Sequence, residues 1–238
     1  MLEHLTFSGN PPLFPQLDIP CYRASMEPGM AEKIAQIVMA EKPNILKNTP
    51  PPPGHFGPND LYNLTGRFMY YNLLDFDHDE LRYMRSFIAE QYTKYMTEIG
   101  HPISGPCYIR AWANAFEYNS HLVWHNHFEA LATGDGAPIW SHVSGMACIQ
   151  TFGTRTWFLS PFLGGVGHND FGLGYNYPAD CRGVENLVGD CFFFPSWVVH
   201  RTEPNDNPQL PRITVAYDII TEEIYQAKTN AQLFSRLI

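Results

Sequence analysis

Apolar positions recur along this chain with two different periods. From roughly Pro28 to Ala40, Met30, Ile34, Ile37 and Val38 fall at helical spacing. From about Asp79 to Ile99 a longer stripe follows, made by Leu81, Met84, Ile88, Tyr92, Tyr95 and Ile99. Asp77 and Glu80 resemble a capping box at its start, and Gly100 with Pro102 ends it. From Cys107 onward the pattern changes to short β-type runs punctuated by glycine, proline and asparagine. It predicts strands near Tyr108–Ala115, Leu122–Phe128, Val143–Thr151, Thr154–Leu159, Cys191–Phe194 and Ile213–Ile219. Loops are expected at the proline run Thr49–Gly54, at Gly134–Pro138 and from Gly164 to Pro178. Strands with no helix between them point to an antiparallel sandwich or barrel, with the two helices packed against its outside.

Composition narrows the function. A chain of 238 residues with abundant aromatics can bury one sizeable core. Its net charge of −9, with no basic run, disfavours nucleic-acid binding. No apolar run reaches the ~20 residues of a membrane span. The start Met1-Leu2-Glu3-His4 has neither a basic n-region nor an apolar h-region, so no leader is expected. Five cysteines, without CxxC spacing, read as mostly buried free thiols of a cytoplasmic protein.

The chemistry lies in Trp124-His125-Asn126-His127-Phe128-Glu129, read with His200 and Arg212. Side chains at i and i+2 share one face of a strand. His125 and His127 therefore face together, and so do His127 and Glu129. Neutral imidazole is a good ligand for iron, zinc, copper and nickel. His200 closes the apolar run from Gly189 and supplies a third imidazole. Periodicity leaves the third ligand open between His127 and Glu129. Arg212, among Pro211, Ile213 and Val215, is a cation in an apolar strand. Such a group is costly without an anion, and its fork suits a carboxylate. Either an internal bridge to Asp218 or Glu185, or a bound dicarboxylate, would meet that need. Thr214, on the same face, can add a hydroxyl. His142, Asn114 and Trp112 are candidates for the metal surroundings or the substrate pocket.

From about Ala111 to Asp218 the chain resembles the 2-oxoglutarate/iron(II) oxygenase superfamily, and within it a group of small members with an HxH…H…R pattern. The resemblance is carried by Ala111-Trp112-Ala113-Asn114, His125-Asn126-His127, Ser144-Gly145-Met146-Ala147, Phe194-Pro195-Ser196-Trp197 with His200, and Arg212-Ile213-Thr214. It implies a mainly β fold with flanking N-terminal helices, a double-stranded β-helix or cupin-like jelly roll. One domain over 1–238 then divides into a helical support region (1–105), a jelly-roll catalytic core (106–220) and a C-terminal helix or tail (221–238). The resemblance further implies Fe(II) on His125, His200 and a third ligand. It places 2-oxoglutarate on the metal, with its distal carboxylate on Arg212 and Thr214. The superfamily's usual HxD or HxE carboxylate is histidine at position 127; His127 is the favoured third ligand and Glu129 stays as its rival.

The implied activity is a dioxygenase that uses O2 and 2-oxoglutarate to hydroxylate a small-molecule or peptidyl substrate, releasing succinate and CO2. Two other functions fit the same histidines. One is a three-histidine cupin-type dioxygenase that does not use 2-oxoglutarate. The other is a non-catalytic metal-binding jelly-roll protein.

Overall fold

The structure is a computed structural model that describes residues 1–7, 17–50, 64–127, 143–160, 181–226 and 231–238. Among the described residues, ten strands form two sheets. They are β1 (Leu2–Phe7), β2 (Leu17–Ser25), β3 (Cys107–Phe116), β4 (Val143–Gln150), β5 (Arg155–Leu159), β6 (Cys181–Glu185), β7 (Asp190–Pro195), β8 (His200–Thr202), β9 (Arg212–Thr221) and β10 (Ser235–Arg236). The larger sheet runs β1-β2-β7-β4-β9-β3-β10 and the smaller β6-β5-β8, with every pairing antiparallel. This is the jelly roll that the strand pattern and the resemblance led one to expect.

The larger sheet is buried on both faces, and alternation along its strands separates two chemistries. One face of β3, β4 and β9 carries Ile109, Ala111, Ala113, Ala147, Ile149, Val215, Tyr217 and Ile219. Helices α1 (Met30–Asn48) and α2 (Asp79–Glu98) cover it with Ile34, Val38, Ile45, Leu81, Met84, Ile88, Tyr92 and Tyr95. Each fully buried aliphatic side chain there contributes about 1.5–3 kcal/mol. The opposite face carries Arg110, Trp112, Asn114 and Phe116, registered against Asp218, Ala216, Thr214 and Arg212. Gly145 lets the sheet close between these layers. A Cβ there would sit 2.2 Å from the Phe192 carbonyl oxygen and 2.4 Å from the Tyr217 ring.

Several expectations need correction. The N-terminal region is not purely helical support: β1 and β2 extend the larger sheet beyond β7. Helix α1 runs past Ala40 to Asn48, through Pro43. The carbonyl that Pro43 deprives of a donor belongs to Met39, on the exposed side where water can reach it, while Ile45 continues the buried stripe. The start of α2 has no capping box: its N-cap is His78, without a side-chain cap bond, and Asp77 instead accepts from Arg82. Its end matches expectation. Gly100 takes φ +79°, with Gly100 and His101 amides donating to the Thr97 and Met96 carbonyls.

The expected strand Leu122–Phe128 is not a regular strand where it is described. It meets the smaller sheet through a single bridge, His125 to His200. Beyond that bridge the Thr202 amide donates to the Leu122 carbonyl at 3.1 Å, but the Leu122 amide turns to the Thr202 hydroxyl, so no regular ladder forms. The proline run from Pro51, the Gly134–Pro138 loop and the Gly164–Pro178 loop lie outside the described residues.

Candidate metal and co-substrate site

Three elements bring the histidines together. The His125 amide donates to the His200 carbonyl at 2.9 Å, and the His200 amide returns a bond to the His125 carbonyl at 2.8 Å. The His127 amide donates to the Ser196 carbonyl at 3.0 Å, in the turn between β7 and β8. These bonds set the three rings within 4.3–5.4 Å of one another, centroid to centroid. One potential ligand atom from each ring lies within 4.8 Å of the other two.

Each ring is also oriented from behind. Nδ1 of His125 lies 2.8 Å from the Val123 carbonyl, and Nδ1 of His200 lies 3.0 Å from the Val198 carbonyl. Nδ1 of His127 lies 2.6 Å from Oδ1 of Asp218. An Nδ1–H donor to such a group fixes the tautomer and presents Nε2 as the ligand atom. Burial pushes the His200 pKa well below 6.5, and the neighbouring His125 and His127 push it the same way. The ring is therefore neutral, as a metal ligand must be. Burial alone would raise the Asp218 pKa, but His127, Arg110 and the Ser144 hydroxyl bring it down to about 2.

Arg212 is fully buried, with its guanidinium 4.7 Å from the centre of the Phe116 ring. It pairs with neither Asp218 nor Glu185. Asp218 is taken by Arg110 and His127, and Glu185 lies on β6 opposite Arg155. Arg212 donates from Nη1 to the Glu203 carbonyl at 2.6 Å and from Nη2 to the Thr202 hydroxyl at 2.7 Å. Its Nε has no partner among the described residues, and no carboxylate there forms an ion pair with it. Burial lowers its pKa to about 10.

Thr202 is the residue that sequence reading missed. Its oxygen accepts from the Leu122 amide at 3.0 Å as well as from Arg212. A hydroxyl has two acceptor positions and one donor. With both acceptor positions used, its hydrogen is directed elsewhere. The available signal was its position two residues after His200, on the same face of a strand. Thr214 lies two residues from Arg212, and its hydroxyl takes the Asn114 amide nitrogen at 3.2 Å. The Asn114 carbonyl oxygen is buried with no partner among the described residues. Trp112 packs against His127 with ring centroids 5.5 Å apart. Glu129 and His142 lie outside the described residues. The loop from Glu203 to Arg212 is built around buried Asn205, whose amide nitrogen donates to the Phe116 and Leu210 carbonyls at 2.9 Å each.

No protein-family model and no curated protein sequence matches the chain. Solved structures do. The non-heme α-ketoglutarate-dependent carbocyclase SnoK from nogalamycin biosynthesis superimposes with a TM-score of 0.55 at 12% identity, covering 92% of this chain and 92% of that one. HygX from Streptomyces hygroscopicus, solved with nickel and 2-oxoglutarate bound, gives 0.54 at 9% identity, over 85% of this chain and 82% of its own. A Pseudomonas putida prolyl-4-hydroxylase gives 0.52 at 10% identity, over 85% and 92%. The chain thus shares the jelly-roll fold of these three structures.

Proposed function

We propose that this chain is an Fe(II)- and 2-oxoglutarate-dependent oxygenase. It hydroxylates a small-molecule or peptidyl substrate with O2, releasing succinate and CO2. The observation that carries this reading is the spacing between the histidines and the arginine head. His200 and Thr202 share one face of β8, a step of about 6.7 Å along a strand. Arg212 rests on the Thr202 hydroxyl. The carbon chain of 2-oxoglutarate, four bonds of ~1.5 Å each, suits that step, with one end at the metal and the other at the guanidinium.

The donor set fits iron. Three imidazoles, each turned by a bond at Nδ1, would hold the ion and would leave coordination positions for a bidentate co-substrate and oxygen. When bound, iron with 2-oxoglutarate supplies oxygen activation coupled to oxidative decarboxylation. The chain's own residues do the rest. His125, His127 and His200 hold the ion. Arg212 binds the distal carboxylate with its spare Nε–H and charge, and the Thr202 hydroxyl donates to the same group. Thr214 and Asn114 line the floor between these ends, and Phe116, Phe158 and Phe194 keep water from it.

The test is an anaerobic titration of Fe(II)-loaded protein with 2-oxoglutarate, following the visible metal-to-ligand charge-transfer band. A band that appears in the native protein and is lost in His200→Ala supports the reading. Iron that binds without a band favours the three-histidine dioxygenase that needs no 2-oxoglutarate, or the non-catalytic metal protein.

A further inference from the structure

His127 differs from the other two histidines in what stands behind it. His125 and His200 are backed by backbone carbonyls, whereas His127 is backed by a carboxylate. Oδ1 of Asp218 also accepts the Ser144 hydroxyl at 2.8 Å, and Oδ2 accepts Nη2 of Arg110 at 3.0 Å. Asp218, Ser144 and Arg110 are buried, and the His127 side chain is 7% exposed. These residues come from three neighbouring strands in register: Arg110 on β3 and Ser144 on β4 both lie opposite Asp218 on β9. Arg110 is fixed in turn by aromatic rings, with Phe68, Trp112 and Phe234 centred 5.1–5.3 Å from its guanidinium carbon.

Three imidazoles bring no negative charge to a divalent ion, whereas the two-histidine, one-carboxylate set brings one. Here the carboxylate stands one hydrogen bond further out. We propose that Asp218 is the positioning residue of the metal centre: it fixes the Nδ1–H tautomer of His127, aims Nε2 at the ion and supplies the anionic charge that the three-imidazole set lacks. The proposal rests on the metal-site reading above. It names His127 as the third ligand, on grounds independent of the HxH spacing. A carboxylate behind a ligating imidazole increases the basicity of the ligand, and such outer partners are typically worth 10–100-fold in metal affinity.

The competing role for Asp218 is to neutralise Arg110 and nothing more. Two variants separate these roles. Asp218→Asn alone removes the negative charge on which both roles draw, while its amide oxygen can still accept from His127. The double variant Arg110→Met/Asp218→Asn removes both charges together, so a residue that served only as counter-ion is no longer missed. Fe(II) and Co(II) affinities are measured anaerobically on both, with melting temperatures and the 2-oxoglutarate charge-transfer band.

The expected result is a double variant that folds, binds Fe(II) 10–100-fold more weakly than native protein, and shows the band at shorter wavelength because its metal is less electron-rich. Native metal affinity and native band position in the double variant would overturn the proposal. His200→Ala is run in parallel. If it binds Fe(II) as well as native protein, the three-histidine site itself is wrong and the proposal falls with it. If it does not, the metal site stands and the double variant decides alone. Should that variant fail to fold, long-range 1H–15N spectra of the native Zn(II)-loaded protein decide. His127 protonated at Nδ1 and metal-bound at Nε2 supports the proposal, and the opposite tautomer defeats it.

Discussion

Arg212 and Thr202 meet at 2.7 Å, from two strands joined by the short loop that Asn205 organises. The contact places a buried cation beside a hydroxyl whose acceptor positions are both taken. The pair is thereby prepared for an anion that the described residues do not provide. Arg212→Met is expected to leave iron content unchanged and to weaken 2-oxoglutarate binding by more than 100-fold. Thr202→Val should weaken it about 10–100-fold, the worth of one hydrogen bond to a charged group. The readout is the concentration dependence of the charge-transfer band. Because Arg212→Met also removes an unbalanced buried charge, the apo variant should melt no lower than native protein. A clear loss of stability would instead make Arg212 a structural residue.

Glu129 and His127 can be separated directly. His127→Ala and His200→Ala should each abolish stoichiometric iron binding, a loss of at least 100-fold in affinity, while Glu129→Gln should retain it. Colorimetric iron determination after desalting suffices. Equal loss in Glu129→Gln would move the third ligand to that residue.

Acid should destabilise the apo protein in two windows. The folded-state pKa of His200 is depressed, so between that value and 6.5 the unfolded chain holds the extra proton. Stability therefore falls as pH drops below about 6.5, with a limiting slope near 1.4 kcal/mol per pH unit for one proton. Half-buried His121, whose pKa is lowered by burial and then by Arg201 and Arg212, adds in the same direction. Asp218 acts lower. Its folded pKa of about 2 against 3.8 means a contribution complete above 3.8 and lost as pH falls towards 2. Urea denaturation of apo protein from pH 7.5 to 5 tests the first window. A flat profile there would mean that His200 is not held neutral.

Gly145→Ala should cost roughly 1–3 kcal/mol or more. Its added carbon meets the Phe192 backbone oxygen and the fully buried Tyr217 ring, neither of which yields cheaply. The same shift would displace Tyr217, whose hydroxyl donates to that Phe192 carbonyl at 2.7 Å. Chemical denaturation of the metal-free protein reads this out without reference to chemistry at the site.

These residues also show what a sequence can and cannot reveal. The helices and long strands were legible because their stripes are long and their faces unmistakable. The strand β9, expected as Ile213–Ile219, is found as Arg212–Thr221. The histidines were legible because their residue type is costly to explain otherwise. The strands β1, β2, β6 and β8 were not. They are short or sit near sheet edges, where pairing with distant partners outweighs local propensity. From sequence, Asp218 stands out only as an acidic partner for Arg212, as Glu185 does. Its ties to His127, Ser144 and Arg110 depend on cross-strand register, which no local spacing encodes. Thr202 escaped notice for a similar reason: its importance comes from the loop that carries Arg212 back over it.

Among the described residues, the ligand-bearing segment forms one isolated β-bridge with the smaller sheet and two further bonds between Leu122 and Thr202, where its neighbours are joined by continuous ladders. An ion on His127 and His200 would close a loop of about 70 residues, as a covalent cross-link does, and such closure is worth about 4 kcal/mol in chain entropy. In this chain the metal would then be a fastener as well as a reagent. Its removal would loosen the packing of this segment against the edge strand β8.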